Sequence, residues 1–420
     1  MHIDEPIFNI GSYIKLNAVP SFTILERAII KVIEENDALR IQIIETRTSC
    51  EQVFRESVPF KLLSKNFQDS ENSNEVALDW MRTEFLRGIN VNDSSLYSFA
   101  LVQYEEDKCY LFCKIHHIII DGWSKDLFIR KIAEHYNALI ESKSFSNSSS
   151  YASYVSNSLN SRSEREKEES LAFWIQKFEG FERNFLFRKK EMNLNYLPSS
   201  RKRMFMDRDK YDSIAFGDDS SSKSKFYFLI ASLYVTLSRS SGQDEIVIGI
   251  PLLNRHNEID KNTIGYYVGI MPLKLSFPRN CSFSELTQGI RDEMKSTFNY
   301  RNVAIHEINK TLGINFSNSS QLYDVVFSFQ NQNYDCNFGD ASILESGTFT
   351  TEYEQNPLVV KVQDSTANES ITFSFEYNFN FLNEVEVNAL IQRYQNTIDY
   401  YLNNAEASLV SSPILLYEEF

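Results

Sequence analysis

The chain is poor in residues that interrupt regular structure. Glycine and proline number 13 and 9 among 420 residues, about 5% together against a usual ~12%. That excludes a collagen-like or loop-dominated chain and predicts long helices and strands. Cysteine is scarce: Cys50, Cys109, Cys113, Cys281 and Cys336 are odd in number, scattered, and form no C-x-x-C pair. Neither a disulfide framework nor a zinc site follows from such spacing, and Cys109 and Cys113 are expected to pack as small apolar residues in a strand pair. No apolar run reaches the ~18 residues of a membrane span, and the opening MHIDEPIFNIGSY lacks the basic-then-apolar order of a secretory signal. Positive charge is in deficit, with 42 Lys+Arg against 57 Asp+Glu and a net charge of −15, which argues against a nucleic-acid partner. These absences together predict a soluble protein of a reducing, cytoplasmic compartment.

What is present is apolar and aromatic: 42% hydrophobic, with 32 Phe and 22 Tyr, too much for a disordered chain. The length allows two or three folding units. Apolar spacing predicts a strand over Phe8–Asn17 and a helix over Ser21–Glu35, then strands Arg40–Thr46 and Val58–Leu63 and a helix over Val76–Arg87. A hairpin of buried strands, Ser98–Tyr104 and Cys109–Ile120, runs into Asp121 and Gly122. A long helix is expected from Lys125 with Ser124 as its cap. After Ser-rich breaks at Ser142–Ser150 and Asp218–Lys225 the pattern recurs loosely. Helices are expected at Phe226–Leu237, Phe283–Asn299 and Glu384–Leu402, and strands at Ile246–Leu252, Tyr267–Phe277, Tyr323–Phe329 and Ile371–Asn378. Helix and strand mix in each half, so an α/β chain of two similar lobes is expected, divided as 1–165 and 166–420.

The segment Ile115-His116-His117-Ile118-Ile119-Ile120-Asp121-Gly122-Trp123-Ser124 carries the densest chemistry. Two of six histidines stand at the end of an apolar strand, four residues before an aspartate. Histidine is the natural base near neutral pH. Asp121 can orient an imidazole or fix the loop through an ion pair, and Gly122 can let backbone approach closely or adopt positive φ. The plain alternative is a pair of core histidines beside a turn. A metal site would need further ligands, and His135, His256 and His306 lack metal-ligand spacing; His256 and His306 read as structural. Arg188-Lys189-Lys190 and Arg201-Lys202-Arg203 are the only dense basic groups, read either as a solvated face or as a contact for an acidic partner or a phosphate.

IHHIIIDGWS resembles the H-H-x-x-x-D-G active-site motif of the condensation domains of nonribosomal peptide synthetases, relatives of the chloramphenicol acetyltransferase-like acyltransferases. Flanking segments are similar in order and spacing. Glu35-Asn36-Asp37-Ala38-Leu39-Arg40 resembles R-H-E-x-L-R, Tyr151-Ala152-Ser153-Tyr154 resembles Y-x-D-Y, and IVIGIPLLNR (Ile246 to Arg255) resembles a strand ending in Gly-Arg. Ile264-Gly265-Tyr266-Tyr267-Val268-Gly269 resembles I-G-x-F-V-N, and LYDVVFSFQN (Leu322 to Asn331) resembles P-L-F-x-V-x-F-x-x-x-N. The departures are a missing S-x-A-Q-x-R segment, Gly269 in place of Asn, Tyr300 to His306 where H-Q-D-x-P-F-E is usual, and SNSSQ before Leu322.

The resemblance implies two chloramphenicol acetyltransferase-like lobes in a V-shaped pseudo-dimer with a central tunnel. It implies amide formation between a carrier-bound acyl or peptidyl thioester and an acceptor amine. On that likeness His117 acts on the amine, by removing its proton or by positioning it. His116 is structural, Asp121 pairs with Arg255 across the lobes, and the Gly122 backbone lies near the thioester carbonyl. No cofactor is expected on the chain itself; substrates arrive on the phosphopantetheine of a donor carrier protein and of an acceptor carrier protein, or the acceptor is a soluble amine. The protein is expected as a monomer or as one part of a larger synthetase, with carriers supplied from elsewhere. Drift at Gly269, Ala304, His306 and SNSSQ predicts an atypical acceptor. Other readings are a non-catalytic docking domain of the same fold, an epimerisation or ester-forming variant, and a coenzyme A-dependent acyltransferase, whose D-F-G-W-G segment is missing.

Overall fold

The computed structural model describes residues 6–46, 49–92, 95–143, 150–160, 164–181, 186–187, 197–215, 221–301, 303–314, 321–332, 336–365 and 370–413. The first elements are β1 (Asn9–Leu16), α1 (Phe22–Glu35), β2 (Ile41–Glu45), β3 (Cys50–Phe54), β4 (Leu63–Asn66), α2 (Ser73–Phe85), β5 (Tyr97–Gln103), β6 (Cys109–His116), α3 (Gly122–Ile140), α4 (Tyr151–Asn160) and α5 (Glu164–Lys177). There follow β7 (Ser199–Asp207), α6 (Arg208–Asp212), α7 (Ser222–Ser241), β8 (Glu245–Leu252), α8 (Glu258–Lys261), β9 (Gly269–Ser276), α9 (Phe283–Phe298) and α10 (Ile305–Thr311). The last are β10 (Val325–Gln332), β11 (Asn337–Phe338), β12 (Ala341–Thr348), β13 (Leu358–Ser365), β14 (Ser370–Asn378) and α11 (Glu384–Asn403).

Two compact units share these elements. The first gathers Met1–Ser161, Leu253–Val268 and Gln332–Thr351; the second gathers Arg162–Leu252, Gly269–Asn331 and Glu352–Phe420. This corrects the expected division into 1–165 and 166–420, because two later segments belong with the first unit. The reason is hydrogen bonding across long loops: β12 pairs antiparallel with β1, Ser12 opposite Thr348, and the 253–268 segment is bound by residues around Asp121.

The first unit is built on a six-stranded sheet in the order β11-β12-β1-β6-β5-β4. β6 is antiparallel to both neighbours, with Asn9 opposite His116 on β1 and Tyr97 opposite Ile115 on β5. All eight β6 residues are buried. Leu111, Cys113 and Ile115 join the core formed with α1 and α3, while Tyr110 and Phe112 face Ala77, Met81 and Phe85 of α2. This period-two alternation covers both faces of the strand, and each fully buried large apolar side chain contributes ~1.5–3 kcal/mol. Cys109 and Cys113 pack there as expected, and burial pushes both thiols up to about 12. Lys114 is also buried. Its ammonium donates to the Glu84 and Arg87 carbonyls, at 2.9 and 3.3 Å, and meets the Glu84 carboxylate at 3.3 Å. It thus ties the strand to the backbone around the end of α2, where the Arg87 carbonyl also accepts from Asn9 Nδ2 at 2.9 Å.

The second unit has its own six-stranded sheet, ordered β7-β14-β13-β10-β8-β9. Its core surrounds α7, in which residues from Phe228 to Leu237 are all buried. Trp174 of α5 is buried and donates to the Tyr300 carbonyl at 2.8 Å. The dense basic group at Arg201 and Lys202 lies on β7 and is engaged within the unit: Arg201 pairs with Glu376, and Lys202 with Glu384. Arg188-Lys189-Lys190 lies outside the described residues.

Several expected elements shift. Residues 58–62 form no strand, since Pro59 has no N–H for a ladder; β3 supplies the partner of β2 instead, Ile41 opposite Phe54. Strands β7 and β12 carry too little apolar periodicity to be found from sequence, whereas β13, which opens on the buried Leu358, Val359, Val360 and Val362, is a further strand not among those expected. α3 begins at Gly122, and its cap is Asp121 rather than Ser124: the Asp121 side chain accepts from the Ser124 N–H.

Candidate functional site

The site grows from the end of β6. His116 is the last strand residue and 6% exposed. Its N–H donates to the Leu96 carbonyl at 2.8 Å, and its Nδ1 accepts from the Ile118 N–H at 3.1 Å. That contact puts the proton of a neutral ring on Nε2. Burial, aided by neighbouring His117, pushes its pKa down to about 4. His116 is therefore a neutral acceptor that shapes the turn after the strand.

His117 stands beyond the ladder. Its N–H donates to the Phe8 carbonyl at 2.7 Å, and its ring is half-buried. The imidazole meets the Tyr266 ring edge-on, with centroids 5.3 Å apart and planes at 77°. Ile118 and Trp123 beside it are more than one-third exposed, whereas Ile119 and Ile120 are fully buried and anchor the turn. Gly122 is exposed, and a Cβ placed there meets nothing within 4 Å. Its backbone is not in the left-handed region, so neither the expected positive φ nor a steric contact calls for glycine at this position.

Asp121 is 1% exposed and fully engaged. Its Oδ1 accepts from the Ser124 N–H at 2.8 Å and from Arg255 Nη2 at 3.1 Å; its Oδ2 accepts from Arg255 Nη2 at 3.2 Å and from the Tyr267 N–H at 3.0 Å. Arg255 spends its other amine on the Thr263 carbonyl at 2.7 Å and the Asp260 carbonyl. Its guanidinium lies 3.9 Å from the centre of the Tyr267 ring, a cation–π contact. The Asp121–Arg255 pair is thus present, but both residues lie in the first unit. The pair closes the 253–268 segment onto the start of α3 instead of joining lobes. Both Asp121 oxygens are spent on Ser124, Arg255 and Tyr267, so of its two expected roles the carboxylate fixes the loop rather than orienting the imidazole.

The flanking motifs support this knot. Asp37 caps α4, accepting from the Tyr151 N–H at 2.8 Å and the Ala152 N–H at 3.2 Å. The Tyr151 hydroxyl then donates to the Tyr266 carbonyl at 2.7 Å. Its ring presses on Gly265, where a Cβ would lie 2.2 Å from the ring, so only glycine fits. Arg40 donates to the Ile33 and Glu56 carbonyls at 3.2 and 2.9 Å, tying the end of α1. Asn254 takes the place of the glycine in the Gly-Arg pair, and its φ of 48° shows why: asparagine is the side chain that best tolerates the left-handed region. Sequence reasoning placed Tyr266 within a motif without giving it a role; its position directly after the constrained Gly265 was the available signal.

Other candidates lie elsewhere. His135 bonds Glu35 at 3.0 Å, and His256 and His306 are exposed. Ala304 caps α10 without a side-chain bond. Residues 317–320 of SNSSQ lie outside the described residues. Among the described residues no group of three or more His, Cys, Asp or Glu could hold a metal ion, and no helix is long and apolar enough to cross a membrane.

Comparison with known proteins gives one consistent picture. A family model described as "Condensation domain" matches residues 2–419. The chain is 24% identical over 319 residues to a dimodular nonribosomal peptide synthase of Bacillus subtilis (strain 168), covering 74% of this chain and 13% of that protein. It is 22% identical over 428 residues to gramicidin S synthase 2 of Aneurinibacillus migulanus, covering 98% of this chain and 9% of that protein. The chain therefore spans about a tenth of the length of these relatives. A crystal structure of a mutant starter condensation domain of rhizomide synthetase, in complex with C8-CoA and Leu-SNAC, superposes with a TM-score of 0.88 at 18% identity, covering 99% of this chain and 94% of that one.

Proposed function

The chain belongs to the condensation-domain family, and from that premise we propose that it joins a carrier-bound acyl or peptidyl thioester to an acceptor amine. One observation supports this most: His117 is a half-buried imidazole with its backbone pinned at the end of a wholly buried strand, beside the open space at Gly122. The amine nitrogen attacks the thioester carbonyl, the C–S bond breaks, and the products are an amide and a free thiol. The amine loses one proton and the departing thiolate gains one; His117 carries or orients that proton at its ring. His116, with its pKa near 4, is held neutral and serves the turn. Asp121 and Arg255 hold the loop, and Gly122 leaves its backbone accessible to the thioester carbonyl. No resident cofactor takes part, because the substrates bring their own phosphopantetheine thioesters. The partners are a donor carrier protein and either an aminoacyl carrier protein or a soluble amine, met in the cytoplasm.

The test loads donor carrier proteins with acyl or aminoacyl groups, offers soluble amines or aminoacyl carriers, and follows product by mass spectrometry. His117→Ala is expected to keep its melting temperature and to lose at least tenfold in rate, toward the ~10²–10⁴-fold of a positioned acid–base group. Full activity in this variant would reject the role and favour catalysis by proximity alone, and no product from the unaltered chain with any donor and acceptor would favour a docking domain.

A further inference from the structure

The geometry points to Tyr266 as a positioning residue for His117, and through Tyr266 it gives Asp121 and Tyr151 an indirect part in the chemistry. This rests on the role of His117 proposed above. The backbone of residues 265–267 is held at five polar groups. The Gly265 carbonyl accepts from the Asp121 N–H at 3.2 Å and from Ser124 Oγ at 2.8 Å, and the Gly265 N–H donates to Ser124 Oγ at 3.0 Å. The Tyr266 carbonyl accepts from the Tyr151 hydroxyl at 2.7 Å, and the Tyr267 N–H donates to Asp121 Oδ2 at 3.0 Å. The Tyr267 carbonyl in turn accepts from Asn254 Nδ2 at 3.1 Å. A ring mounted on so constrained a segment is a fixed wall, and the wall faces the imidazole edge-on at 5.3 Å.

The ring is not there for the core. Tyr266 is 42% exposed, whereas Tyr267 beside it is 3% exposed and packs under Arg255. An exposed aromatic on a rigid segment, touching a half-buried imidazole whose own backbone is pinned, restricts the two side-chain torsions of that imidazole. Orientation of this kind is worth large factors in rate, since a misplacement of about 1 Å can cost ~10²-fold. The same segment is bound by the Asp121 carboxylate, so the helix cap and the base share one scaffold: loosening Asp121 frees residues 265–267, and with them the wall against His117.

Two measurements on the full chain test this. The first is NMR of histidine-labelled protein, in which the His117 ring signal is identified by its loss in His117→Ala. Tyr266→Leu is expected to move that signal, through loss of the neighbouring ring current, and Tyr266→Phe to leave it in place. The second uses the acyl-loaded carrier and aminoacyl acceptor turned over in the His117 experiment. Tyr266→Leu is expected to lower kcat by about tenfold with the acceptor KM and the melting temperature unchanged, and Tyr266→Phe to restore the rate. In a His117→Ala background Tyr266→Leu is expected to add no further loss, because its effect passes through the imidazole. An unmoved His117 signal, a change confined to KM, or additive losses in the double variant would each overturn the positioning role. Full activity of His117→Ala would overturn it together with the role proposed for His117; a His117-dependent chain indifferent to Tyr266→Leu would overturn the positioning role alone.

Discussion

Each unit buries an ion pair of a different kind. In the first unit Asp121 and Arg255 join the ends of elements 134 residues apart in sequence, and both also hold backbone, Asp121 at the Ser124 and Tyr267 N–H groups and Arg255 at the Thr263 carbonyl. In the second unit Arg201 and Glu376 are directly opposite cross-strand neighbours, Arg201 the third residue of β7 and Glu376 the third from the end of β14. Lys361 adds a second cation at 2.6 Å from Glu376 Oε2. The first pair holds irregular backbone that has no ladder of its own; the second sits on backbone the sheet already satisfies. A buried ion pair is weak evidence for stability in itself. What matters is whether other groups depend on it, and here they depend on it only in the first unit.

Replacement should expose that contrast, with the largest effect at Asp121. Asp121→Ala leaves Arg255 uncompensated and uncaps α3, a loss of ~3–5 kcal/mol for breaking such a pair on one side, read as a lowered melting temperature together with lost activity. Replacing both partners, Asp121→Leu with Arg255→Met, should not rescue it, because the Ser124 and Tyr267 N–H groups and the Thr263 carbonyl still lose their partners. In the second unit the triple change Arg201→Met, Glu376→Leu, Lys361→Met should be close to neutral in thermal melting and should leave activity in place. A recovered double variant in the first unit, or a collapsed triple variant in the second, would remove the distinction.

Acid should separate the units next. His116 has a folded pKa near 4, below its ordinary 6.5. The unfolded chain therefore takes up the proton first, and the contribution of His116 is present above about pH 6.5 and lost as pH falls toward 4. Burial pushes the Glu376 carboxyl up, but Lys361 and Arg201 outweigh it and hold the pKa at about 2 against an ordinary 4.5. That contribution is intact above about 4.5 and lost only as pH falls toward 2. Glu354 works the other way, since burial and the nearby Glu376 raise its pKa. Hydrogen exchange between pH 6.5 and 4.5 is expected to show the β6 end loosening while β14 stays protected. His116→Gln should flatten the first trend; an unchanged pH slope in that variant would show that the destabilisation arises elsewhere.

The sequence disclosed these features unevenly. β6, β8 and the long helices were legible because apolar residues recur at the strand or helix period, and the H-H-x-x-x-D-G segment was legible because its chemistry is dense and local. β12 was not: its sequence, ASILESGT, is mostly polar, and it is a strand because β1 offers an edge to it. Nor does chain order reveal that residues 253–268 leave the second unit for the first. The Asp121–Arg255 pair came from family likeness, and its placement within one unit came only from the fold. Tyr266 shows the same limit, since a side chain that matters through what it touches leaves no period and no motif of its own.

The smallest expected effect compares two left-handed corners. Asn254 in the first unit has φ 48°, and Gly242 at the end of α7 in the second has φ 75°. Glycine is at ease in that region, whereas a side chain with a Cβ is strained by roughly 1–2 kcal/mol. Asn254 offsets part of that strain by donating from Nδ2 to the Tyr267 carbonyl, a bond worth ~0.5–1.5 kcal/mol net. Asn254→Gly exchanges one gain for the other and should shift stability by less than about 1 kcal/mol. Asn254→Ala keeps the strain and loses the bond, so it should cost more than Asn254→Gly, and more than Gly242→Asn, where a Cβ meets nothing within 4 Å. The ranking is read from urea midpoints at constant slope. If Asn254→Ala proves as stable as Asn254→Gly, backbone strain does not decide this corner; if Asn254→Ala proves as stable as the unaltered chain, the hydrogen bond to Tyr267 contributes nothing to holding the segment that carries Tyr266.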